Sequence, residues 1–124
     1  MRTTTGSVLL VQKSFDTPDE VRRFEKGTLE VVNVGEHTVA RATFAPGWRW
    51  SEHVQPIAGT DLCEVEHLGY VVGGKMQVRM EDGSEAEFGP GDVMAVRPGH
   101  DAWVLGKEPC VLVDFAGAST YAKR

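Results

Sequence analysis

Short stretches of alternating apolar and polar residues run along most of this chain, separated by glycine or proline. Residues 28–34 are β-branched and apolar, and residues 37–44 alternate with a period of two, so together they predict a β-hairpin. Asp82-Gly83 predicts a second hairpin, because this dipeptide suits the positive φ angles of tight turns. Further strands are predicted at residues 48–51, 63–72, 75–80, 85–88, 93–96, 102–105 and 110–115. Roughly nine or ten short strands at this spacing are typical of a β-sandwich or barrel.

Three other segments complete the predicted organisation. Residues 7–11 form a short apolar run and predict an edge strand. Residues 16–27 contain a capping aspartate, then Pro18, then acidic residues, and end at a glycine, which predicts one or two helical turns. Residues 52–61 have no clear period and contain a proline and a glycine, so we expect a loop there.

Composition narrows the class of protein. The 124 residues fit one domain, and 14 glycines and 6 prolines favour many short elements. The net charge of −5 and the lack of a basic run argue against a nucleic-acid or anionic membrane partner. No apolar run is long enough for a signal peptide or a membrane span, so we expect a cytoplasmic protein without membrane contact. Cys63 and Cys110 do not predict a disulfide framework in that compartment.

Three of the four histidines lie at predicted strand ends or beside turns, where the mouth of a barrel gathers residues that are distant in sequence. They are His53, His67 and His100. Neutral imidazole is a common ligand of divalent first-row metals, and three histidines with one further donor leave a position for water or substrate. None of them has the helical spacing that makes a metal motif specific, so histidines without a metal are the alternative.

Glycines and prolines around these histidines form two recurring patterns. In the first, Gly47 is followed after five residues by His53, Gln55 stands two residues further on, and His67 lies seven residues before Gly74. In the second, Gly91 is followed after five residues by Arg97-Pro98-Gly99, and Ala102 and Gly106 follow.

Together these patterns, over residues 46–106, resemble the two motifs of the cupin superfamily. The resemblance implies an all-β, single-domain, cupin-like jelly-roll barrel across residues 1–124, to which we add at most one short N-terminal helical turn. In the family's terms, His53 matches the first histidine, Gln55 replaces the second, His67 replaces the glutamate and Ala102 replaces the third histidine.

His100 can take the place of the missing third histidine. It lies two residues before Ala102 and points to the same face if the strand has begun, although this moves the ligand by about 6–7 Å. We therefore expect His53, His67 and His100 to bind a divalent transition metal, with Gln55 or water as the fourth group. Zinc, iron, nickel and manganese remain open.

The cavity of such a barrel would be lined by Cys63, Trp50, Tyr70, Met76 and Trp103, although packing in the core is the favoured role for the aromatic residues and Met76. Cys63 is first a buried thiol and second a ligand, because four residues of strand separate it from His67 by about 13 Å unless the chain curves. As a ligand, its thiolate would favour zinc.

Two functions remain open at this point. One is a cupin with a histidine-lined metal site that works as a metal-dependent enzyme on a small molecule. The alternative is a non-enzymatic ligand-binding or sensing cupin that has lost the usual metal site. The resemblance also implies a homodimer, for which the hairpin of residues 28–44 would be a suitable edge.

Overall fold

The computed structural model describes residues 10–123, which form two antiparallel sheets and two single-turn helices. The elements are β1 (Glu20–Phe24), β2 (Gly27–Val34), β3 (His37–Phe44), α1 (Trp50–His53), α2 (Gln55–Ala58), β4 (His67–Gly73), β5 (Lys75–Met80), β6 (Glu85–Phe88), β7 (Val93–Val96), β8 (His100–Leu105) and β9 (Cys110–Asp114). The larger sheet has the strand order β1-β2-β3-β9-β4-β7, and the smaller has the order β6-β5-β8. The predicted all-β jelly-roll class is confirmed.

The core lies between the two sheets and follows the period of two in each strand. The larger sheet contributes Leu29 and Val31 from β2 and Leu112 from β9, and the smaller sheet contributes Met76 and Val78 from β5. Alternate residues of the same strands are more exposed, apart from the buried Val32 of β2, which is the pattern expected of a half-buried strand. The core therefore follows directly from the alternation in the sequence.

Both predicted hairpins are confirmed. β2 pairs with β3 in register from Gly27 and Phe44 to Val34 and His37, and β5 pairs with β6 through the turn that contains Gly83. The two cysteines are free and buried, as expected. The predicted edge strand of residues 7–11 lies mostly outside the described residues, and Leu10 and Val11 belong to no strand.

The predicted N-terminal helix is wrong. Residues 20–24 form β1 and pair with β2. The capping signal instead makes a turn, in which Ser14 Oγ accepts a hydrogen bond from Asp16 N–H. Asp19 then accepts one from Asn33 N–H on β2 at 2.8 Å. Residues that cap helices are also common in turns. Here the pairing of residues 20–24 with β2 favours a turn followed by a strand over a helix.

The predicted strand at residues 48–51 and the loop after it are also wrong. Trp50 begins α1. Pro56 lies in the first turn of α2, and Gly59, with φ +78°, follows the last residue of that helix. Proline at a helix start and glycine after its end are typical of helices. The helices were missed because each is a single turn, too short to show a period.

The hairpin of β2 and β3 offers no free edge, because β1 covers β2 and β9 covers β3. This hairpin is therefore not available as the dimer edge that we suggested, and the homodimer itself stays a prediction. Neither helix in residues 10–123 has the length and apolar character needed to cross a membrane.

Gly74 links β4 to β5 and should tolerate no side chain. Its φ is +72°, and a Cβ there would lie 2.2 Å from Pro109 O and 2.6 Å from Cys110 Cα. We expect Gly74→Ala to lower the free energy of unfolding by more than about 2 kcal/mol, since left-handed backbone alone costs about 1–2 kcal/mol. Urea unfolding followed by circular dichroism measures the change. Gly73→Ala is the matched control, because its Cβ meets nothing within 4 Å; equal losses in the two variants would contradict the argument.

Candidate metal centre

A cysteine and two histidines from three separate segments meet beside the core. Cys63 lies in the loop before β4, His67 begins β4 and His100 begins β8, and their ligand atoms all lie within 4.8 Å of one another. Backbone pairing brings them together, because Cys63 N–H donates to His100 O at 2.8 Å and Gly99 N–H donates to Cys63 O at 2.7 Å. The loop thus curves at Cys63. This curvature is the condition under which the thiol and His67 can bind the same ion.

Asp114 fixes the orientation of His67. The strands β4 and β9 are neighbours, and His67 Nδ1–H donates to Asp114 Oδ2 at 2.5 Å. The other oxygen, Asp114 Oδ1, accepts hydrogen bonds from Ala116 N–H and Gly117 N–H, both at 3.0 Å. With Nδ1 engaged, the Nε2 atom of His67 faces Cys63 Sγ at 3.7 Å.

His100 is oriented in the same way by a backbone carbonyl. Its Nδ1–H donates to Arg97 O at 2.7 Å, so Nε2 remains as its ligand atom. The rings of His67 and His100 lie 5.3 Å apart at 67°. Hydrogen bonding of the remote ring nitrogen is the usual way in which proteins orient metal-binding imidazoles.

The charges of the cluster are mutually stabilising. Burial alone would lower the pKa of His67, but its hydrogen bonds with Asp114 and Cys63 raise it to about 9. Burial alone would raise the pKa of Cys63, but hydrogen bonds with His100 and His67 lower it to about 7. Burial likewise opposes ionisation of Asp114, yet the hydrogen bond from His67 and the backbone N–H groups hold its pKa below the ordinary value. A thiolate is therefore accessible at neutral pH, and thiolate is the form that binds metal.

One pair of donor atoms has the separation expected around a tetrahedral ion. Bonds of about 2.3 Å to sulfur and about 2.0–2.1 Å to nitrogen place the two donors about 3.6 Å apart around tetrahedral zinc. The distance between Cys63 Sγ and His67 Nε2 is 3.7 Å. Three protein ligands leave one coordination position for water or a small molecule.

A central cavity of about 40 Å³ adjoins the cluster, and His67, His100 and Asp114 form its polar part. The rest of its lining is mostly apolar and comes mainly from both sheets, and it includes Trp50, Met76, Leu29, Phe44, Met94, Leu112 and Tyr121. Trp50 and Met76, which we expected at the cavity, lie there. Cys63 lines a separate groove under the C-terminal residues, so the cluster lies between the two spaces.

The structure does not bring His53 and Gln55 into the cluster. Helix α1 turns His53 away, where its Nδ1 accepts a hydrogen bond from Arg49 N–H at 2.9 Å and its Nε2 lies 3.9 Å from the Glu25 carboxylate. Gln55 begins α2 and donates to Asp61 O at 3.3 Å. The structure thus brings together Cys63, His67 and His100, and it places the expected ligands His53 and Gln55 outside this cluster.

Tyr70 and Trp103, also expected at the cavity, lie on outer faces instead. Tyr70 is 43% exposed, because Gly69 and Val71 take the inward positions of β4. Trp103 stacks under the Arg49 guanidinium, 4.4 Å from its ring centre, while Ala102 and Val104 face inward. The parity of each strand places both side chains away from the cavity.

Asp114 is the residue that the sequence analysis missed. In β9 the inward positions are Cys110, Leu112 and Asp114, so a carboxylate follows two apolar residues on the face that the core requires. A charged residue at a core position needs a partner. The position of Asp114 in the apolar series therefore indicates a buried partner, but it does not identify that partner as His67.

The sequence has no match among family models or curated proteins, but the fold has matches among solved structures. Among solved structures, the chain is similar to oxalate decarboxylase of Lactobacillus farciminis, solved as a formate complex, with 20% identity and a TM-score of 0.59 over 82% of this chain. This chain spans only 32% of that one.

Two smaller proteins match over most of both chains. An RmlC-like cupin from Shewanella frigidimarina has 20% identity and a TM-score of 0.56, covering 82% of this chain and 86% of its own. KdgF from Halomonas sp. has 22% identity and a TM-score of 0.54, covering 79% and 86%. The chain therefore has the cupin fold, and it carries a cysteine–histidine cluster that could hold a metal ion.

The pairing of His67 with Asp114 can be tested in metal-free protein. We expect Asp114→Asn to lower the pKa of His67 by about 1–3 from its value of about 9, since an adjacent opposite charge shifts a pKa by that amount. NMR titration of the imidazole protons measures it. A raised pKa stabilises the folded state fully below 6.5 and loses that effect as the pH rises through 9. The variant should therefore be more destabilised at pH 6 than at pH 10.

Asp101→Asn is the matched control for this experiment. Asp101 is also buried, but its carboxylate accepts hydrogen bonds from Arg49 and Ser51. Its loss should leave the pKa of His67 near 9. An unchanged His67 in Asp114→Asn would show that the carboxylate does not control the imidazole.

Proposed function

We propose that this cupin binds one divalent transition metal through Cys63, His67 and His100, and that a small molecule binds beside the ion in the central cavity. The observation that carries the proposal is the convergence of three ligand atoms within 4.8 Å. They come from the loop before β4 and from two different sheets. Two of the three, on His67 and His100, also line the cavity.

The ring orientations support a metal over histidines that serve only packing. Each imidazole uses Nδ1 for a structural hydrogen bond, to Asp114 in one case and to Arg97 O in the other. Each therefore keeps Nε2 for the cluster. A carboxylate behind a histidine ligand also makes the imidazole more basic and fixes its tautomer.

Zinc fits this donor set best. A thiolate with two imidazoles is a soft to borderline set, which suits zinc and disfavours manganese, whose preferred ligands are oxygen atoms. Iron and nickel are the competing ions. A bound ion would supply Lewis acidity and lower the pKa of a coordinated water, and the apolar lining would exclude bulk solvent from the same space.

A second candidate is a nucleophilic cysteine. Cys63, His67 and Asp114 follow one another in the order of nucleophile, base and orienting carboxylate. However, Cys63 is 1% exposed and its thiol is not part of the central cavity lining. A molecule in that cavity would meet the histidines and not the sulfur, so the arrangement favours ligation of an ion.

A third candidate is the ligand-binding cupin without metal, which the mostly apolar cavity lining favours. It differs from the main proposal in one measurable respect, the metal content. It would bind a small molecule with no ion present.

Zinc binding tests the proposal. Elemental analysis of protein dialysed against zinc should give about one ion per chain. Zinc at 100 times its Kd should stabilise the fold by about 2.7 kcal/mol, which calorimetry would show as a higher Tm. His100→Gln should abolish both effects, because it removes one of three ligands.

Asp114→Asn should weaken zinc binding by about 10–100-fold, as loss of a group that orients a ligand does.

His53→Gln is the matched control, because His53 is mostly buried and lies outside the cluster. It should bind zinc as the unaltered protein does. Zinc that binds at less than about one-tenth of an ion per chain would end the metal proposal. Zinc that is lost equally from His53→Gln and His100→Gln would show that the ion is held elsewhere.

A further inference from the structure

The outer side of the larger sheet carries a continuous apolar face. Seven large apolar side chains are exposed in residues 10–123, and five of them lie together here. They are Leu68, Tyr70 and Val72 of β4, Val93 of β7, and Phe115, which directly follows β9. We call these five residues the outer apolar face. Single exposed apolar residues are ordinary on a protein surface, whereas a cluster of them marks an interaction site.

Strand pairing makes the outer apolar face continuous. Tyr70 pairs with Val93 on one side and with Val113 on the other. Phe115 N–H donates to Leu68 O at 2.8 Å, which sets these two residues side by side. Neighbouring strands are about 4.8 Å apart, so the side chains are close enough to form rows across the sheet. The outward positions of β4, β7 and β9 contain no charged residue.

The exposed area of this face is sufficient for half of a symmetric interface. The five residues are between 43% and 69% exposed. At roughly 150–250 Å² for each large residue, they leave on the order of 500 Å² of mostly apolar surface in solvent. Two such faces in contact would bury about 1,000 Å² from these residues alone, and specific interfaces begin at about 1,200 Å² in total. The half-buried Val113 and the rim of the contact would bring the area into that range.

The chemistry of the face favours a second copy of this chain as the partner. In a two-fold dimer the same surface lies on both sides, so it has to be complementary to itself. Uncharged apolar rows meet that condition, whereas two copies of a chain with a net charge of −5 repel each other wherever like charges meet. The face is also part of a sheet, and two sheets pack face to face about 10 Å apart. A small molecule would need a concave site instead.

We propose that the outer apolar face is the contact of a two-fold dimer, in which β9, β4 and β7 of one copy pack against the same strands of the other. This contact is distinct from the hairpin of β2 and β3, both of whose edges are covered. It lies directly behind the candidate metal centre, because His67 and Asp114 point inward from β4 and β9. It does not depend on a bound ion.

Sedimentation equilibrium tests the proposal. The protein should be a dimer in reversible equilibrium with monomer, with a Kd in the micromolar range that suits an interface of this size. Tyr70→Lys and Val93→Lys should each raise the Kd about 30-fold or more, because a charge within the face has no partner in the contact. Both positions are exposed, so the monomer should keep its fold, which circular dichroism would check.

Val21→Lys is the matched control. Val21 is an exposed valine of the same sheet, but it lies on β1 at the opposite end from β7, so the Kd should not change. A second measurement identifies the face directly. The chain has two tyrosines. After fluorotyrosine labelling, the fluorine resonance of Tyr70 should shift on dilution, whereas that of the buried Tyr121 should stay in place.

A monomer throughout the micromolar range overturns the proposal. If that monomer becomes a dimer after residues 1–9 are deleted, the face binds that segment in place of a second copy. A dimer that survives both lysine variants, or that is lost equally in Val21→Lys, places the contact elsewhere and also overturns the proposal. An unmoved Tyr70 resonance in a dimer does the same. Because zinc takes no part in these measurements, failure here leaves the metal proposal standing.

Discussion

The hydrogen bond between His67 and Asp114 is the contact on which the candidate site depends. Its two partners lie on adjacent strands, β4 and β9, and both are almost fully buried. An unpaired charge at this depth would cost several kcal/mol, whereas a paired and hydrogen-bonded one is tolerated. The pair therefore lets a carboxylate stand at a core position, and the carboxylate in turn sets which nitrogen of His67 faces Cys63.

The same carboxylate organises the chain that follows β9. Gly117 passes so close that a Cβ would lie 2.7 Å from His67 Nδ1 and 2.8 Å from Glu66 O. Its N–H reaches Asp114 Oδ1 for that reason. Beyond it, Tyr121 packs its ring 5.3 Å from that of His67, and the Arg22 guanidinium donates to Ala118 O and Tyr121 O. Asp114 thus contacts both the imidazole of His67 and the start of this C-terminal segment.

Local pattern was sufficient for most of the strands, but not for β1, and it was insufficient for the site. The alternation in β2, β3 and β5 predicted those strands closely, because half-buried strands require it. We predicted the convergence of His67 and His100 from their positions at strand ends, with the family resemblance as support for His67. The inclusion of Cys63 depended on a bend that its bridge to His100 creates, and the loss of His53 depended on one helical turn at α1. Both are decided by pairing across the fold and leave little trace in residue spacing.

Asp114 has two opposing effects on a metal at this site. It makes His67 a stronger ligand, but the raised pKa of about 9 means that a proton occupies the imidazole at pH 7 in the metal-free protein. Removing that proton costs about 3 kcal/mol, since each unit of pKa corresponds to roughly 1.4 kcal/mol. Structural zinc binds with an apparent free energy of about 10–16 kcal/mol at the same pH. An ion that bound this tightly would displace the proton, so the carboxylate could stabilise the charged His67 of the metal-free cluster and orient the neutral His67 of a metal-bound one.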